Sequence, residues 1–284
     1  MRVSSDCEAC LYNRQKNRVS VITDPKKRSE YLDGVREILR TRDAGDSSPF
    51  MVYRFNSLYR SMFGTAPDFS GVKKEYNDLA LSIEQQAYDM IKGSSDPLKT
   101  ALIYSRKGNY IDFGAMASVD KEVFIELLNK DDSLDEDTYR AFCDECNSAE
   151  SFLLLCDNCG EIVFDKLLLR VLQERFSGMK LYAMVRGGDV LNDVTKEDAA
   201  YTGLDKVAEI ITNGRAISGV VPYMLGAEEK RIFDNANVVL SKGQGNYEAL
   251  SGYEKKIYYS FLCKCSMFTE RFSVPPLTGM FIKE

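Results

Sequence analysis

The sequence predicts an α/β protein, α+β overall, in which an all-helical first half (residues 1–148) packs on a second half (149–284) built around a mainly parallel sheet. Three observations predict it. Aspartate or serine stands directly before proline at Asp24-Pro25, Ser48-Pro49 and Asp96-Pro97, the signature of a capped helix start, and all three fall in the first half. From Ser151 onward the rhythm changes to short apolar runs separated by longer stretches with helical spacing. Finally, 284 residues against a prior of roughly 150 per domain point to two packed units.

Taken in order, helices are expected after Asp24, Ser48 and Asp96. Between the last two, Tyr76, Leu79, Ala80, Ile83, Ala87 and Ile91 fall on one helical face, and Gly93 is placed to end that helix. "SVDKEVFIELLNK" and "LDEDTYRAFCDEC" continue the pattern to about residue 148, interrupted by the Gly-punctuated "KGNYIDFGAM". Beyond it, "SFLLLC", "KLYAMV", "ANVVLS" and "KIYYSFLC" read as buried strands, with "EIVFDKLLLRVLQERF" and "LDKVAEIITNG" as the connecting helices.

Composition narrows the chemistry. A net charge of −6 provides no basic face for a phosphodiester backbone, which argues against nucleic acid as a partner. No apolar run approaches the roughly 20 residues needed to span a bilayer, and "MRVSSDCEAC" shows no secretory h-region, so a cytoplasmic protein without membrane contact is expected. The chain contains no histidine, which excludes Ser-His-Asp and Cys-His mechanisms and leaves Asp, Glu, Asn, Lys, Tyr and Cys as bases or ligands. Its eight cysteines are expected as thiols or metal ligands rather than disulfides.

In a parallel sheet ligands bind beyond the carboxyl ends of the strands. Three strand ends carry polar loops. Asp157-Asn158 follows the first strand, with Gly160-Glu161 opening a helix. "RGGDVLNDVT" follows the second, with Arg186, a Gly187-Gly188 turn and Asp193. "KGQGNYE" follows the third, led by Lys242 with Gly243, Gly245 and Asn246 behind it. Each alone is more often a cap or a turn. Their coincidence at neighbouring strand ends favours a site, because hard cations take carboxylate and amide oxygens while glycine-loop amides and a lysine cradle phosphate.

These blocks also carry a family resemblance. "CDNCGEIVFD", "RGGDVLNDVT", "GLDKVAEIITNG" and "SKGQGNYEAL" resemble the signatures of the domain-of-unknown-function 89 family, the metal-dependent damage-control phosphatases. "CEAC" and "GNYIDFG" resemble blocks of its cysteine-bearing, mostly prokaryotic branch. The resemblance implies a Rossmann-like α/β lobe under a helical lobe. It implies a divalent ion (magnesium, manganese, cobalt or nickel) on Asp157, Asn158 and Asp193, and a phosphate-binding lysine at Lys242. It also implies phosphorylated small metabolites, sugar phosphates or damaged cofactor precursors, as substrates. Val194 replaces the alanine usual in that block.

The expected chemistry is phosphate monoester hydrolysis. Lys242 and amides from Gly243 to Asn246 would neutralise transition-state charge, with Asn109, Arg186 and Gly187 as further substrate contacts. The nucleophile is an activated water or an Asp carboxylate, with Asp157 first among the carboxylates. Relatives described as carboxyl methyltransferases make S-adenosylmethionine-dependent methyl transfer the alternative, although "CDNCGEIVFD" lacks the G-x-G-x-x-G pattern. A non-catalytic thiol-metal or redox module is a third reading. Cys7-x-x-Cys10 and Cys143-x-x-Cys146 have the spacing of two halves of a four-thiolate zinc site. Cys156 and Cys263 read as small buried apolar residues, and Cys159, beside the Asp-Asn pair, is less easily assigned to packing.

Overall fold

The computed structural model describes residues 3–64, 68–110 and 121–284. The stretch of the Gly-punctuated interruption from residue 111 to 116 lies outside the described residues. The helical half comprises α1 (Ser5–Arg18), α2 (Pro25–Arg40), α3 (Ser48–Phe63), α4 (Ser70–Ser82), α5 (Glu84–Gly93), α6 (Pro97–Gly108), α7 (Lys121–Asn129) and α8 (Glu136–Ser148). The second half runs β1 (Ser151–Leu155), α9 (Glu161–Arg175), β2 (Lys180–Val185), α10 (Lys196–Thr202), β3 (Glu209–Thr212), α11 (Ala227–Asn235), β4 (Val238–Lys242), α12 (Gln244–Leu250), β5 (Tyr258–Leu262), α13 (Ser266–Phe272) and β6 (Gly279–Lys283).

The proline-marked starts form as read. The Asp24 side chain accepts from the Lys26 and Lys27 amides at 2.9 and 3.3 Å, and Asp96 accepts from Lys99 at 3.1 Å. At α3 the cap residue is Ser47 rather than Ser48, and its side chain makes no capping bond. The helical face from Tyr76 to Ile91 is split at Ile83, whose backbone (φ −116°, ψ 3°) ends α4 and opens α5. Ile83 is buried in the same apolar cluster as Ala80 and Ala87, so the apolar face continues while the helix changes direction.

The six strands are ordered β3-β2-β1-β4-β5-β6, parallel except for the β5–β6 pair. This is the doubly wound order, and its switch point lies between β1 and β4, where the chain leaves the two strands in opposite directions and opens a crevice at their carboxyl ends. Two strands differ from expectation. "LDKVAEIITNG" is not a helix: it forms a 3-10 turn at Leu204–Lys206 and then β3. Leu204, Ala208 and Ile211 are buried at a spacing that mimics a helical face, but the β-branched Ile210-Ile211-Thr212 pairs in register with Ala183, Met184 and Val185 of β2. The antiparallel edge strand β6 lies beyond the last apolar run recognised in the sequence.

The sheet is buried on both faces. Phe152, Leu154, Ala183 and Leu240 point into one apolar cluster, while Leu153, Leu155, Met184, Val239 and Tyr259 point into the other, the period-two alternation of a strand. Residues of α4, α5, α6 and α8 join the first cluster, so much of the helical half shares its core with the sheet. Helices α1 to α3 have an apolar cluster of their own, containing Tyr31, Val35, Met51 and Phe55. No helix of the described residues is long and apolar enough to cross a membrane.

Phe142 of α8 links the two halves. Its ring meets Phe152, Tyr258 and Phe281 edge-on at centroid distances of 6.1, 5.1 and 5.8 Å. Phe142→Ala is expected to destabilise the protein by about 3–5 kcal/mol, read as a lowered midpoint of chemical unfolding. An unchanged midpoint would show that α8 is not part of the sheet's core.

Candidate active site

The site forms because two strand-end loops are bonded together through their main chains. Beyond β1, the Asp157 carbonyl accepts from the Val194 amide at 2.9 Å, and the Cys159 amide donates to the Asn192 carbonyl at 2.8 Å. Asn158 and Asp193 thereby face each other as an isolated antiparallel bridge. At the end of β2 the Arg186 amide donates to the Val194 carbonyl at 2.8 Å, tying the returning loop to its own strand. Helix α4 braces both loops. Asn77 Oδ1 accepts from the Gly160 amide at 2.8 Å, and the buried Lys73 ammonium reaches Asp198 at 2.7 Å and Asp189 at 3.0 Å.

Side chains then converge on Asp157. Its Oδ2 accepts from Asn158 Nδ2 at 2.8 Å and Asn109 Nδ2 at 3.0 Å, and its Oδ1 from an Arg186 nitrogen at 3.3 Å. The same guanidinium donates through Nε to Asp193 Oδ2 at 2.5 Å and through its other terminal nitrogen to Asn246 Oδ1 at 3.3 Å. Ser218 Oγ donates to the remaining Asp193 oxygen at 3.0 Å. Gly243, at φ +76°, is required here: a Cβ on it would lie 1.9 Å from Asp157 Oδ2. The sequence-predicted Asp157, Asn158, Asp193, Arg186, Asn109, Asn246 and Gly243 are therefore gathered in one place.

Three expectations are placed differently. Lys242 is wholly buried, and its ammonium donates to Glu161 Oε1 at 2.5 Å, Asp165 Oδ1 at 2.8 Å and the Ser105 carbonyl at 3.0 Å. An ammonium has three donors, so all of them face protein acceptors and its charge acts from behind the acids. The Gly243 amide is spent on the Ser260 carbonyl at 3.1 Å. Gly187 is a packing glycine: its amide donates to the Arg215 carbonyl and Asn213 Oδ1, and a Cβ would meet the Gly214 carbonyl carbon at 2.4 Å. Gly245 and Asn246 occupy the first turn of α12, where amides have no intrahelical acceptor.

Glu161 and Asp165 were not singled out by the sequence reading. Glu161 Oε2 accepts from Asn109 at 2.6 Å, and both acids are fully buried. Their signal is legible in retrospect: two acids four residues apart on one face of the largely apolar "EIVFDKLLL" helix are unusual unless paired.

Four carboxyl groups (Asp157, Glu161, Asp165, Asp193) surround two cations, Arg186 and Lys242, so the cluster holds two more acids than cations. Burial, followed by the charges of Asp193 and Glu161, pushes Asp157 up to about 8 against the pull of Arg186. Burial pushes Asp165 up to about 6, opposed chiefly by Lys242. Burial opposes the charge on Lys242, but Asp165 and Glu161 outweigh it and raise its pKa above the ordinary lysine value. Two carboxyl groups and an amide, in a cluster with more acids than cations, fit a hard divalent cation that keeps positions for water or substrate oxygens. Among the described residues no group of three His, Cys, Asp or Glu side chains converges as a metal site, which distinguishes this mixed set from an all-carboxylate or thiolate cage.

The four-thiolate zinc site does not form. Cys7 belongs to the α1–α3 cluster, where its thiol contacts Met267 Sδ at 3.2 Å, and Cys10 is exposed. Cys143 and Cys146 are buried with Phe142 in the sheet cluster, and burial raises both thiols. The two pairs sit in different cores, so spacing alone was misleading. Cys156 and Cys263 are buried as expected, and Cys159 is buried with its thiol 4.0 Å from the Asp193 carbonyl oxygen.

The sequence profile of the damage-control phosphatase ARMT1-like domain matches residues 3–276. The chain belongs to this family, that of domain of unknown function 89. It is 32% identical over 275 residues to a protein of Archaeoglobus fulgidus named damage-control phosphatase, covering 93% of each chain. It is 28% identical over 283 residues to a damage-control phosphatase of Pyrococcus horikoshii, covering 97% of this chain and 96% of that one. The fold is that of a crystal structure of a P. horikoshii protein of the same family, with a TM-score of 0.83 at 24% identity over 100% of this chain and 99% of the other.

Folded Asp157 keeps its proton to about pH 8, whereas the unfolded carboxyl loses it near 3.8. Folding therefore takes up a proton between these values, and the stability of the metal-free protein falls as pH rises through that window. Thermal melting in EDTA from pH 5 to 8 should show the decline, and Asp157→Asn should flatten it. A wild-type melting point that rises with pH would contradict the proton held by Asp157.

Proposed function

We propose that this family member is a metal-dependent phosphatase of small phosphorylated metabolites, with residues 149–284 holding the ion and the phosphate and residues 1–148 covering them. The observation that carries the proposal is the convergence of Asp157, Asn158 and Asp193 in a cluster that holds more acids than cations. The naming of relatives at 32% and 28% identity as damage-control phosphatases supports the reaction class.

Asp157, Asn158 and Asp193 would hold magnesium, manganese, cobalt or nickel, which would supply Lewis-acid polarisation of the phosphoryl group. The chain's own residues do the rest. Arg186 ties Asp157 to Asp193 and keeps both carboxylates oriented before a substrate arrives. Lys242 keeps Glu161 and Asp165 in place, and Glu161 in turn orients Asn109 against Asp157. The first-turn amides of α12 at Gly245 and Asn246 provide neutral donors for phosphoryl oxygens. Charge and positioning account for the catalysis, which suits a chain without histidine.

The test uses EDTA-treated protein and p-nitrophenyl phosphate with and without manganese or cobalt. Hydrolysis is expected only with the ion, and Asp157→Ala or Asp193→Ala should each lower kcat/KM by about a thousand-fold, equivalent to about 4 kcal/mol. Arg186→Gln, which leaves both carboxylates unbridged, should lower the rate. Normal ion-dependent hydrolysis by Asp157→Ala would refute the assignment.

A further inference from the structure

Two adjoining cavities lie beside the catalytic cluster, along α1, α3 and the loop after β2. One, of about 240 Å³, reaches Ser218, whose hydroxyl bonds Asp193, and Gly245 in the first turn of α12. The other, of about 290 Å³, shares Arg14, Val52 and Leu191 with it and adds Arg18 and Arg60. In a chain of net charge −6, three arginines thus line one of two cavities that share a wall, together forming a groove. Among the described residues, Asp189 is the one carboxylate lining the larger cavity, and it is bonded to Lys73 at 3.0 Å. Asp6 and Glu248 border the smaller cavity.

Arg18 is held in place: it donates to Asn56 at 2.6 Å and stacks 3.8 Å above the Tyr59 ring. A guanidinium oriented in advance at a cavity wall suits an incoming anion. Leu191 forms the wall common to both cavities. It is a non-glycine residue held at φ +49°, with 46% of its surface exposed, two residues before Asp193. Backbone strain that keeps an apolar side chain in a groove is the kind that persists at ligand sites. Val52, Phe69 and Val190 continue the apolar wall.

We propose that the groove binds the leaving group of the substrate, and that this leaving group carries a second anion, a carboxylate or another phosphate, on a short apolar spacer. The apolar wall takes the spacer, and Arg14, Arg18 and Arg60 take the distal charge. The proposal rests on the phosphatase reading of the cluster at Asp157. It makes this chain selective for doubly anionic esters, a selectivity that the catalytic cluster alone does not confer.

A matched series tests it: n-alkyl phosphates with spacers of three to eight carbons, their ω-carboxylates and their α,ω-bisphosphates, each assayed with manganese. At one or more lengths an ω-anionic ester should exceed its neutral match in kcat/KM by about tenfold, chiefly through KM, and the ratio should fall with added salt. The two arms show whether carboxylate or phosphate is preferred. The double variant Arg14→Gln/Arg60→Gln, checked for an unchanged melting point, should bring that ratio toward one, whereas Arg140→Gln on α8 should leave it unaltered. A wild-type ratio near one at every length, or an equal loss for both ester classes in the double variant, would overturn the proposal. If neither these esters nor p-nitrophenyl phosphate is hydrolysed with any divalent ion, the phosphatase reading fails instead. The groove is then judged by calorimetric binding of α,ω-alkane bisphosphonates to EDTA-treated protein: weaker binding by the double variant supports it, and equal binding overturns it.

Discussion

Arg186 has no solvent-exposed surface, yet its guanidinium is shared between two carboxylates that the chain delivers on different loops, Asp157 after β1 and Asp193 after β2. A buried cation of this kind is costly unless all its donors are used, and a buried carboxylate pair is costly without a cation between them. Each makes the other tolerable. The arrangement then constrains its surroundings: Gly243 must lack a Cβ because Asp157 fills that space, and Asn246 must turn its amide to meet both Arg186 and the ends of β1 and β4.

The same electrostatics link stability to function. Burial first, and then the neighbouring acids, makes the Asp157 and Asp165 carboxyls hold their protons far above their usual range. In the metal-free protein this retained proton couples stability to pH. Lys242 has a share in this economy that its position in a glycine loop does not suggest. Its ammonium pairs with Glu161 and Asp165 on a buried helix face, and Glu161 in turn orients Asn109, brought in from the end of α6. The helical half is thus more than a cover, because α4 braces the loops, α6 supplies Asn109 and the Ser105 carbonyl, and α1 and α3 form a wall of the groove beyond.

Much of this was legible in the residues. The strand ends at Asp157-Asn158, Asp193 and Lys242 were recognisable because apolar runs stop there and polar, glycine-bearing segments follow, and the sheet does bring them together. Where the reading failed, a local pattern was ambiguous and long-range pairing decided. Leu204, Ala208 and Ile211 satisfy a helical period while forming a turn and an edge strand. The cysteine pairs satisfy a zinc-site spacing while packing into separate cores.

What the sequence determined by itself was local: capped helix starts, buried strands, the absence of imidazole chemistry, and residue types at strand ends suited to a cation and a phosphate. Those depend on hydrophobic period, turn chemistry and composition, which act over a few residues. The tertiary structure alone decided which polar groups meet. That Arg186 bridges two acids, that Lys242 turns inward to Glu161 and Asp165, and that three arginines of α1 and α3 line a cavity adjoining the one at Ser218 all follow from contacts between distant segments, where side-chain direction and burial, not spacing along the chain, set the charge each group can carry.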